Sequence, residues 1–111
     1  ESELASRIFT TFDSAGISVK MMPSRFRIGG RPGYMHAKAI VVDGRDAWVG
    51  SVNGSTTALS NNREFGVRFH DPEWVRPLSA TMSSDHSSTD METWRESLAC
   101  EHDEILLPEL S

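Results

Sequence analysis

Two short groups of polar residues interrupt an otherwise apolar stretch of this 111-residue sequence. His36 and Lys38 are separated by one residue, Asp43 follows, and a Gly-Ser-Val-Asn segment occupies positions 50–53. An imidazole titrates near neutral pH and can attack as a nucleophile or donate a proton. The ammonium, hydroxyl and amide groups supply hydrogen-bond donors. Together these groups suit chemistry at a phosphodiester, where negative charge accumulates on the non-bridging oxygens during displacement.

A β-hairpin is the element that must position these residues. Asp43-Gly44 lies between two β-rich runs, which is typical of a tight hairpin turn. A turn centred on Gly44 and Arg45 would place Lys38 opposite Ser51. Alternate side chains of a strand share one face, so four polar groups are predicted to form one patch: His36, Lys38, Ser51 and Asn53.

The role of the imidazole depends on what holds its second nitrogen. Glu64, at the start of the next predicted strand, is the best candidate to accept a hydrogen bond from that nitrogen and fix the tautomer. Each residue alone also has a structural explanation: a strand histidine is often packed, an edge lysine discourages aggregation, and Asp43 is a common turn residue. The combined spacing is what favours a phosphodiester site.

Composition limits the partners that the chain can bind. A formal net charge of −5 and a pI near 5.3 argue against a generally basic nucleic-acid surface. Arg25, Arg27 and Arg31 nevertheless form a local basic cluster just before the polar hairpin. This cluster fits a solvated loop as well as a nucleic-acid contact.

The single cysteine, Cys100, excludes an internal disulfide and a Cys-rich zinc site, and its neighbour His102 has no second pair to complete a metal site. No apolar run approaches the length of a membrane span, and no leader precedes the helix, so a soluble chain is expected. The sequence begins at Glu1 without methionine, which suggests a processed product or a piece of something longer.

The N-terminal half is predicted to alternate helix and strand. Leu4, Ile8 and Phe12 recur every four residues, which predicts a helix over 2–15 that ends at Gly16 and whose apolar stripe needs a sheet to cover it. Residues 23–33, rich in Gly, Pro and Arg, are predicted to form a loop. Strands are predicted at 17–22, 34–43, 47–50 and 64–69, with one helical turn near Thr57.

The C-terminal part is predicted to be helical. Asp71-Pro72 is typical of a helix start, and a breaker is expected over 83–88. Thr89 and Glu92 have the spacing of a capping box. A last helix is predicted after it, with Met91, Trp94 and Leu98 on its apolar face.

The polar residues form one continuous pattern: His36-x-Lys38-x4-Asp43-x6-Gly50-Ser51-x-Asn53. This pattern resembles the motif of the phospholipase D superfamily, the HKD phosphodiesterases and phosphatidyltransferases, and the strong resemblance spans 34–69. The segment 62–67 resembles the family's downstream segment, whose acidic residue supports the histidine. The order of features after Asp71 resembles bacterial cardiolipin synthase-like members and suggests a bacterial source. The resemblance implies an α/β (α+β) fold, part of a phospholipase D-like αβα sandwich with a mixed sheet and flanking helices.

The resemblance also implies a two-step displacement with no required metal or cofactor. A histidine of one motif attacks phosphorus to form a phosphohistidine, and a histidine of a second motif protonates the leaving alcohol. Water or another alcohol then resolves the intermediate. His36 is thus either nucleophile or general acid. The other implied roles are phosphate binding for Lys38 and Asn53, assistance from Ser51, orientation of the imidazole by Glu64, and a mainly structural place in the motif for Asp43.

Only one such motif is present, since none of the other histidines, His70, His86 and His102, is followed two positions later by lysine. Family half-domains also carry a strand-helix-strand portion before the helix at 2–15. Residues 1–111 are therefore interpreted as a single half-domain, the C-terminal piece of a longer two-motif protein. Its expected partners are a phospholipid substrate and a second HKD half, upstream in the same chain or in a homodimer.

Three hypotheses about function follow. The first is a phosphodiesterase or phosphatidyltransferase that acts on phospholipids. The second is a nuclease of the same superfamily, motivated by the arginine cluster. The third is a non-catalytic half-domain that only binds or assembles, motivated by the single motif.

Overall fold

The computed structural model describes residues 2–23, 27–28 and 30–99. In chain order the elements are α1 (Ser2–Ser14), β1 (Lys20–Met21), β2 (Arg27–Ile28), β3 (Arg31–Pro32), β4 (Ala39–Val42), β5 (Asp46–Gly50), α2 (Thr56–Ser60), β6 (Gly66–Phe69), α3 (Pro72–Ser87) and β7 (Glu92–Thr93). Residues 94–99 are also helical. This mixture confirms the predicted α/β class, and the strand pairs of the described residues are antiparallel. Features outside the described residues are Arg25, Cys100, His102 and the C-terminal tail.

The chain divides into two compact units, Glu1–Tyr34 with His86–Ser111 and Met35–Asp85. In the first unit, α1 ends as predicted: Gly16 has a φ of 80°, and the Ile17 N–H donates to the Phe12 carbonyl over 2.9 Å. The apolar stripe of α1 stays largely uncovered, with Leu4 62%, Ile8 45% and Phe12 37% exposed. The need for a covering sheet, predicted from the sequence, is therefore not met within the described residues.

Trp94 fastens the C-terminal helical segment to α1. Its side chain is 4% exposed and its ring lies 5.6 Å from that of Phe9. The indole N–H donates to Asp13 Oδ2 over 3.1 Å, and Arg95 donates to the same oxygen over 2.9 Å while its guanidinium lies 4.2 Å from the Trp94 ring centroid. Trp94 therefore packs through its ring, as predicted, and also binds α1 through the hydrogen bond of its indole N–H.

The capping box of the C-terminal helical segment lies later in the chain than predicted. The Glu96 N–H donates to Thr93 Oγ1 over 3.2 Å, and the Thr93 N–H donates to Glu96 Oε2 over 3.0 Å. Thr89 and Glu92 have the same spacing, but Glu92 is paired with Met21 in the β1–β7 ladder and is buried. The helix therefore starts after the strand and is capped by the second Thr-x-x-Glu sequence.

Other boundaries also differ from the prediction. The strands expected over 34–43 and 64–69 are shorter and begin at Ala39 and Gly66. The strand expected over 17–22 is reduced to β1. The expected loop 23–33 contains the short β2–β3 hairpin, where Gly30 has a φ of 79°. The breaker expected at 83–88 is wrong, because α3 continues to Ser87; serine costs little in a helix interior.

The second unit is built on the sheet β4-β5-β6. Val41 pairs with Ala47, which in turn pairs with Phe69. Ala47 is 3% exposed and Val75 of α3 is fully buried. The helical turn predicted near Thr57 is confirmed as α2, whose start is capped by Ser55.

The hairpin register is shifted by one residue from the prediction. Asp43 and Gly44 have φ values of 55° and 63°, as a type I′ turn requires, and the Arg45 N–H donates to the Val42 carbonyl over 3.0 Å. Val42 then pairs with Asp46, so Arg45 is an extra residue between turn and ladder. The prediction of a turn centred on Gly44 and Arg45 was wrong. Such a turn would need a positive φ at Arg45, whereas the structure has the positive φ at Asp43.

The Trp48 side chain lies across the two glycines that face each other in β5 and β6. Gly50 pairs with Gly66, and an added Cβ on either glycine would overlap the indole. The absence of side chains at these two positions therefore makes room for the indole at the end of the ladder from which the polar residues emerge.

Candidate functional site

His36 and Lys38 lie just before β4 and interact with each other. The Lys38 ammonium donates to the His36 carbonyl over 2.7 Å, and its Nζ lies 3.1 Å from His36 Nδ1. An ammonium can only donate, so Nδ1 is the acceptor in this contact. A hydrogen bond in this contact therefore corresponds to the imidazole tautomer that has its proton on Nε2.

Glu64 lies just before β6 and receives two side-chain hydrogen bonds. The Ser51 hydroxyl donates to Oε2, and Asn62 Nδ2 donates to Oε1 over 3.1 Å. The Ser51 hydrogen bond and then the Asn62 hydrogen bond lower the pKa of Glu64; desolvation opposes them, and the nearby Lys38 charge lowers the pKa by a smaller amount. Glu64 is therefore held as a carboxylate within the electrostatic reach of Lys38.

Ser51 joins this carboxylate to the sheet. Its N–H donates to the Phe65 carbonyl over 3.0 Å, and its Oγ accepts from the Phe65 N–H over 3.2 Å. The pairing of β5 with β6 continues through these bonds beyond Gly50 and Gly66. A hydroxyl has one proton to donate, and that of Ser51 is directed to Glu64.

The corrected register changes how the polar groups meet. The Gly50 N–H donates to the Lys38 carbonyl over 3.1 Å, so Lys38 lies opposite Gly50 and not opposite Ser51. The expectation that the β4–β5 hairpin places Ser51 and Asn53 on the face of His36 and Lys38 was therefore wrong. Ser51 instead joins the site through β6, which brings it to Glu64.

Asn53 and Asp43 have other surroundings. Asn53 is exposed and lines a shallow groove of about 400 Å³ together with Ile40, Trp48, Val52, Gly54 and Leu59. Asp43 lies in the hairpin turn, at the opposite end of the β4–β5 ladder from Lys38. This position suits the structural role that the resemblance implied for Asp43.

Two residues of this region were not identified from the sequence. Asn62 was seen only as part of a family-like segment, although an asparagine two residues from an acidic residue can donate to it. Trp48 had the pattern of an ordinary strand residue. The two adjacent strand-end glycines, Gly50 and Gly66, were the available signal for a bulky ring lying over the backbone.

Two arginines of the predicted basic cluster, Arg27 and Arg31, lie in the first unit. Arg27 and Arg31 are exposed and belong to the β2–β3 hairpin, where Arg27 pairs with Pro32 and Arg31 with Ile28. The polar groups around Glu64 belong to the second unit. Among the described residues, no helix has the length and apolarity needed to cross a membrane.

Residues 2–86 match the protein family described as "Cardiolipin synthase, PLD-like domain". The chain is also similar to the mitochondrial cardiolipin hydrolases of human, 49% identical over 45 residues, and mouse, 46% identical over 44 residues. These matches cover 40% of this chain and 18% and 20% of the two relatives, so the aligned segment spans about a fifth of their length. No solved structure matches the chain significantly. The mammalian relatives give no support to the bacterial source suggested by the sequence.

Proposed function

Because the chain belongs to the family of cardiolipin synthase-type phospholipase D-like domains, we propose that it supplies one half of a phosphodiesterase or phosphatidyltransferase site for phospholipids. The observation that carries this proposal is the contact of His36 with Lys38 just before β4, together with an ionised Glu64 just before β6 that the Lys38 charge reaches. The names of the relatives, cardiolipin hydrolases, support a phospholipid as the substrate.

In the proposed reaction, His36 Nε2 attacks phosphorus if His36 is the nucleophile. The P–O bond to the leaving alcohol breaks, and that alcohol takes a proton from the histidine of the second half. Water or an acceptor alcohol then gives its proton back to that second histidine and attacks phosphorus, which breaks the P–N bond. Phosphodiester cleavage of this kind leaves His36 regenerated.

Attack through Nε2 requires the imidazole proton to be on Nδ1. In the structure Nδ1 faces Lys38, so substrate must change this contact. A bound phosphate competes for the Lys38 ammonium, because it is a charged acceptor where the imidazole is neutral. Once Nδ1 is released, the imidazole proton must move from Nε2 to Nδ1 through solvent, and Nδ1 can then donate to a carboxylate; Glu64, held ionised, is the proposed acceptor. If His36 is instead the general acid, it acts as the imidazolium, with protons on both ring nitrogens, and donates the proton on Nε2 to the leaving alcohol.

The other site residues have different proposed roles. Lys38 and Asn53 are proposed to bind the non-bridging oxygens, Asn53 from the groove that it lines. Ser51 reaches phosphate only if its hydroxyl turns from Glu64, so its main proposed role is to orient that carboxylate. Asp43 stabilises the hairpin turn.

The second histidine of the proposed site comes from another HKD half. One proposed source is an upstream half in a longer protein. A homodimer that pairs two copies of His36 is the alternative. Either arrangement makes this chain alone an incomplete site, and a non-catalytic half-domain remains the competing proposal.

A nuclease is the second candidate, favoured by the exposed Arg27 and Arg31. The net charge of −5 counts against a nucleic-acid substrate. The test uses intact protein, in EDTA, on vesicles of cardiolipin, phosphatidylglycerol or phosphatidylcholine and on single-stranded DNA. We expect lipid products that His36→Ala abolishes and that the control His70→Ala, at an exposed position, preserves. DNA cleavage without lipid products would favour the nuclease, and no His36-dependent product of either kind would support the non-catalytic alternative.

A further inference from the structure

Asn62 lies outside the HKD pattern but contacts its supporting carboxylate. Its side-chain Nδ2 is 3.1 Å from Glu64 Oε1, while the Ser51 hydroxyl donates to the other oxygen of the same carboxylate. Each oxygen of Glu64 thus has a different donor. Two donors on opposite oxygens fix the plane of a carboxylate, which a single donor would leave free to rotate.

The chemistry of the pair determines which end of the amide faces Glu64. An ionised carboxylate only accepts hydrogen bonds, so the amide NH₂ must point toward it. An acid at position 62 would have the same shape but no such donor. The contact therefore depends on the amide and not merely on the size of the side chain.

The backbone of Asn62 is held by α2. Its N–H donates to the Thr57 carbonyl over 3.1 Å, and the N–H of the neighbouring Asn61 donates to the same carbonyl over 2.9 Å. The start of α2 is itself capped, since the Ala58 N–H donates to Ser55 Oγ over 3.2 Å, and Ala58 is buried. A short capped helix thus fixes the point from which the Asn62 amide reaches Glu64.

We propose that Asn62 is a positioning residue, which together with Ser51 orients the Glu64 carboxylate and keeps it available as the acceptor for the His36 imidazole. Its effect on catalysis rests on the proposed function, but its effect on Glu64 does not. Lys38 is the charged group that acts on Glu64 from the β4 side, and the loop before β6 contributes the adjacent Arg63, which is exposed.

Asn62→Asp and Asn61→Asp form a matched pair of variants. Both add one negative charge at neighbouring, exposed positions after α2, but only the first removes a donor from Glu64. The pKa of Glu64 is measured directly from the ¹³C carboxyl shift of the labelled protein, with Glu64→Gln for assignment. Asn62→Ala, which removes the donor without adding charge, separates the loss of the hydrogen bond from charge repulsion.

We expect the pKa of Glu64 to rise in Asn62→Asp and, by a smaller amount, in Asn62→Ala, and to change little in Asn61→Asp. In the intact enzyme, Asn62→Ala should lower kcat about tenfold with KM nearly unchanged, the size expected for one hydrogen bond to a charged group. The acidic limb of its pH–rate profile should move to higher pH, because Glu64 then protonates earlier.

The titration and the kinetics separate the two possible failures. An unchanged Glu64 pKa in Asn62→Asp and Asn62→Ala would overturn the positioning role, whether or not the protein is an enzyme. If the pKa of Glu64 changes as expected but the pH–rate profile of Asn62→Ala does not shift, the link to catalysis would be overturned. If wild-type protein lacks activity, the proposed function fails while the titration still decides the contact between Asn62 and Glu64.

Discussion

Replacing Gly66 by alanine tests the packing that holds the ends of β5 and β6 together. The three atoms nearest to a Cβ at this position all belong to the Trp48 side chain, and each would overlap it. At Gly50, opposite Gly66 in the ladder, a Cβ would lie 2.5 Å from Trp48 Cζ2 and also 2.6 Å from the Phe65 carbonyl oxygen. The first clash is with a side chain alone, whereas the second also involves backbone.

The expected magnitudes follow from this difference. Overpacking of this kind costs about 1–3 kcal/mol. Glycine-to-alanine replacement also stabilises the folded state by about 0.4–1 kcal/mol, because it lowers the conformational entropy of the unfolded chain. Gly66→Ala should therefore lower the free energy of unfolding by about 1–2 kcal/mol. In a Trp48→Ala background this cost should vanish, whereas the cost of Gly50→Ala should persist in part because of the Phe65 carbonyl.

Urea unfolding followed by circular dichroism measures these changes without relying on tryptophan fluorescence. The four proteins of the Gly66 and Trp48 double-mutant cycle are compared at equal m values. Gly54→Ala is the matched control, because a Cβ there would meet nothing within 4 Å; it should change stability by less than about 0.5 kcal/mol. If Gly66→Ala were as costly without Trp48 as with it, the indole would not be what excludes a side chain at position 66.

Two further predictions concern Asp13 and the pH dependence of stability. Asp13→Ala leaves the buried Trp94 N–H without its acceptor and should lower the free energy of unfolding in urea by about 1–3 kcal/mol. Asp13→Asn keeps an oxygen acceptor and should cost much less, because the exposed ion pair with Arg95 contributes only about 0–1 kcal/mol. Equal losses in the two variants would contradict this assignment. Since hydrogen bonds from Ser51 and Asn62 lower the pKa of Glu64 below its ordinary 4.5, its contribution to stability is present above that value and lost as pH falls through the lowered pKa. Urea midpoints measured between about pH 3 and about pH 6 should fall less steeply toward acid in Ser51→Ala than in wild type, and identical slopes would argue against the contact.

The local sequence predicted the elements better than their junctions. Leu4, Ile8 and Phe12 located α1, and Gly16 located its end, because periodicity and a positive-φ glycine act over a few residues. The two Thr-x-x-Glu sequences were locally equivalent. Only the pairing of Glu92 with β1, a contact distant in sequence, decides that Thr93 is the cap.

The candidate site shows the same limit. The types and spacing of His36, Lys38 and Ser51 were visible in the sequence, but a single-residue shift at the hairpin turn decides which strand residues lie opposite one another. A one-residue change of register moves side chains to the other face of a strand. Ser51 reaches Glu64 through β6, and local patterns alone could not define that neighbour.

The measurement that tests the central claim most directly is a rapid-quench experiment on the intact protein with a phospholipid labelled at phosphorus. The account predicts a phosphoryl group on a histidine, recognised by a bond that acid breaks and alkali leaves intact. His36→Ala should abolish this label if His36 is the nucleophile, or stop turnover and change the amount of label if His36 is the general acid. Label and turnover that are both unchanged in His36→Ala would contradict the claim that this chain carries half of a phosphodiester site.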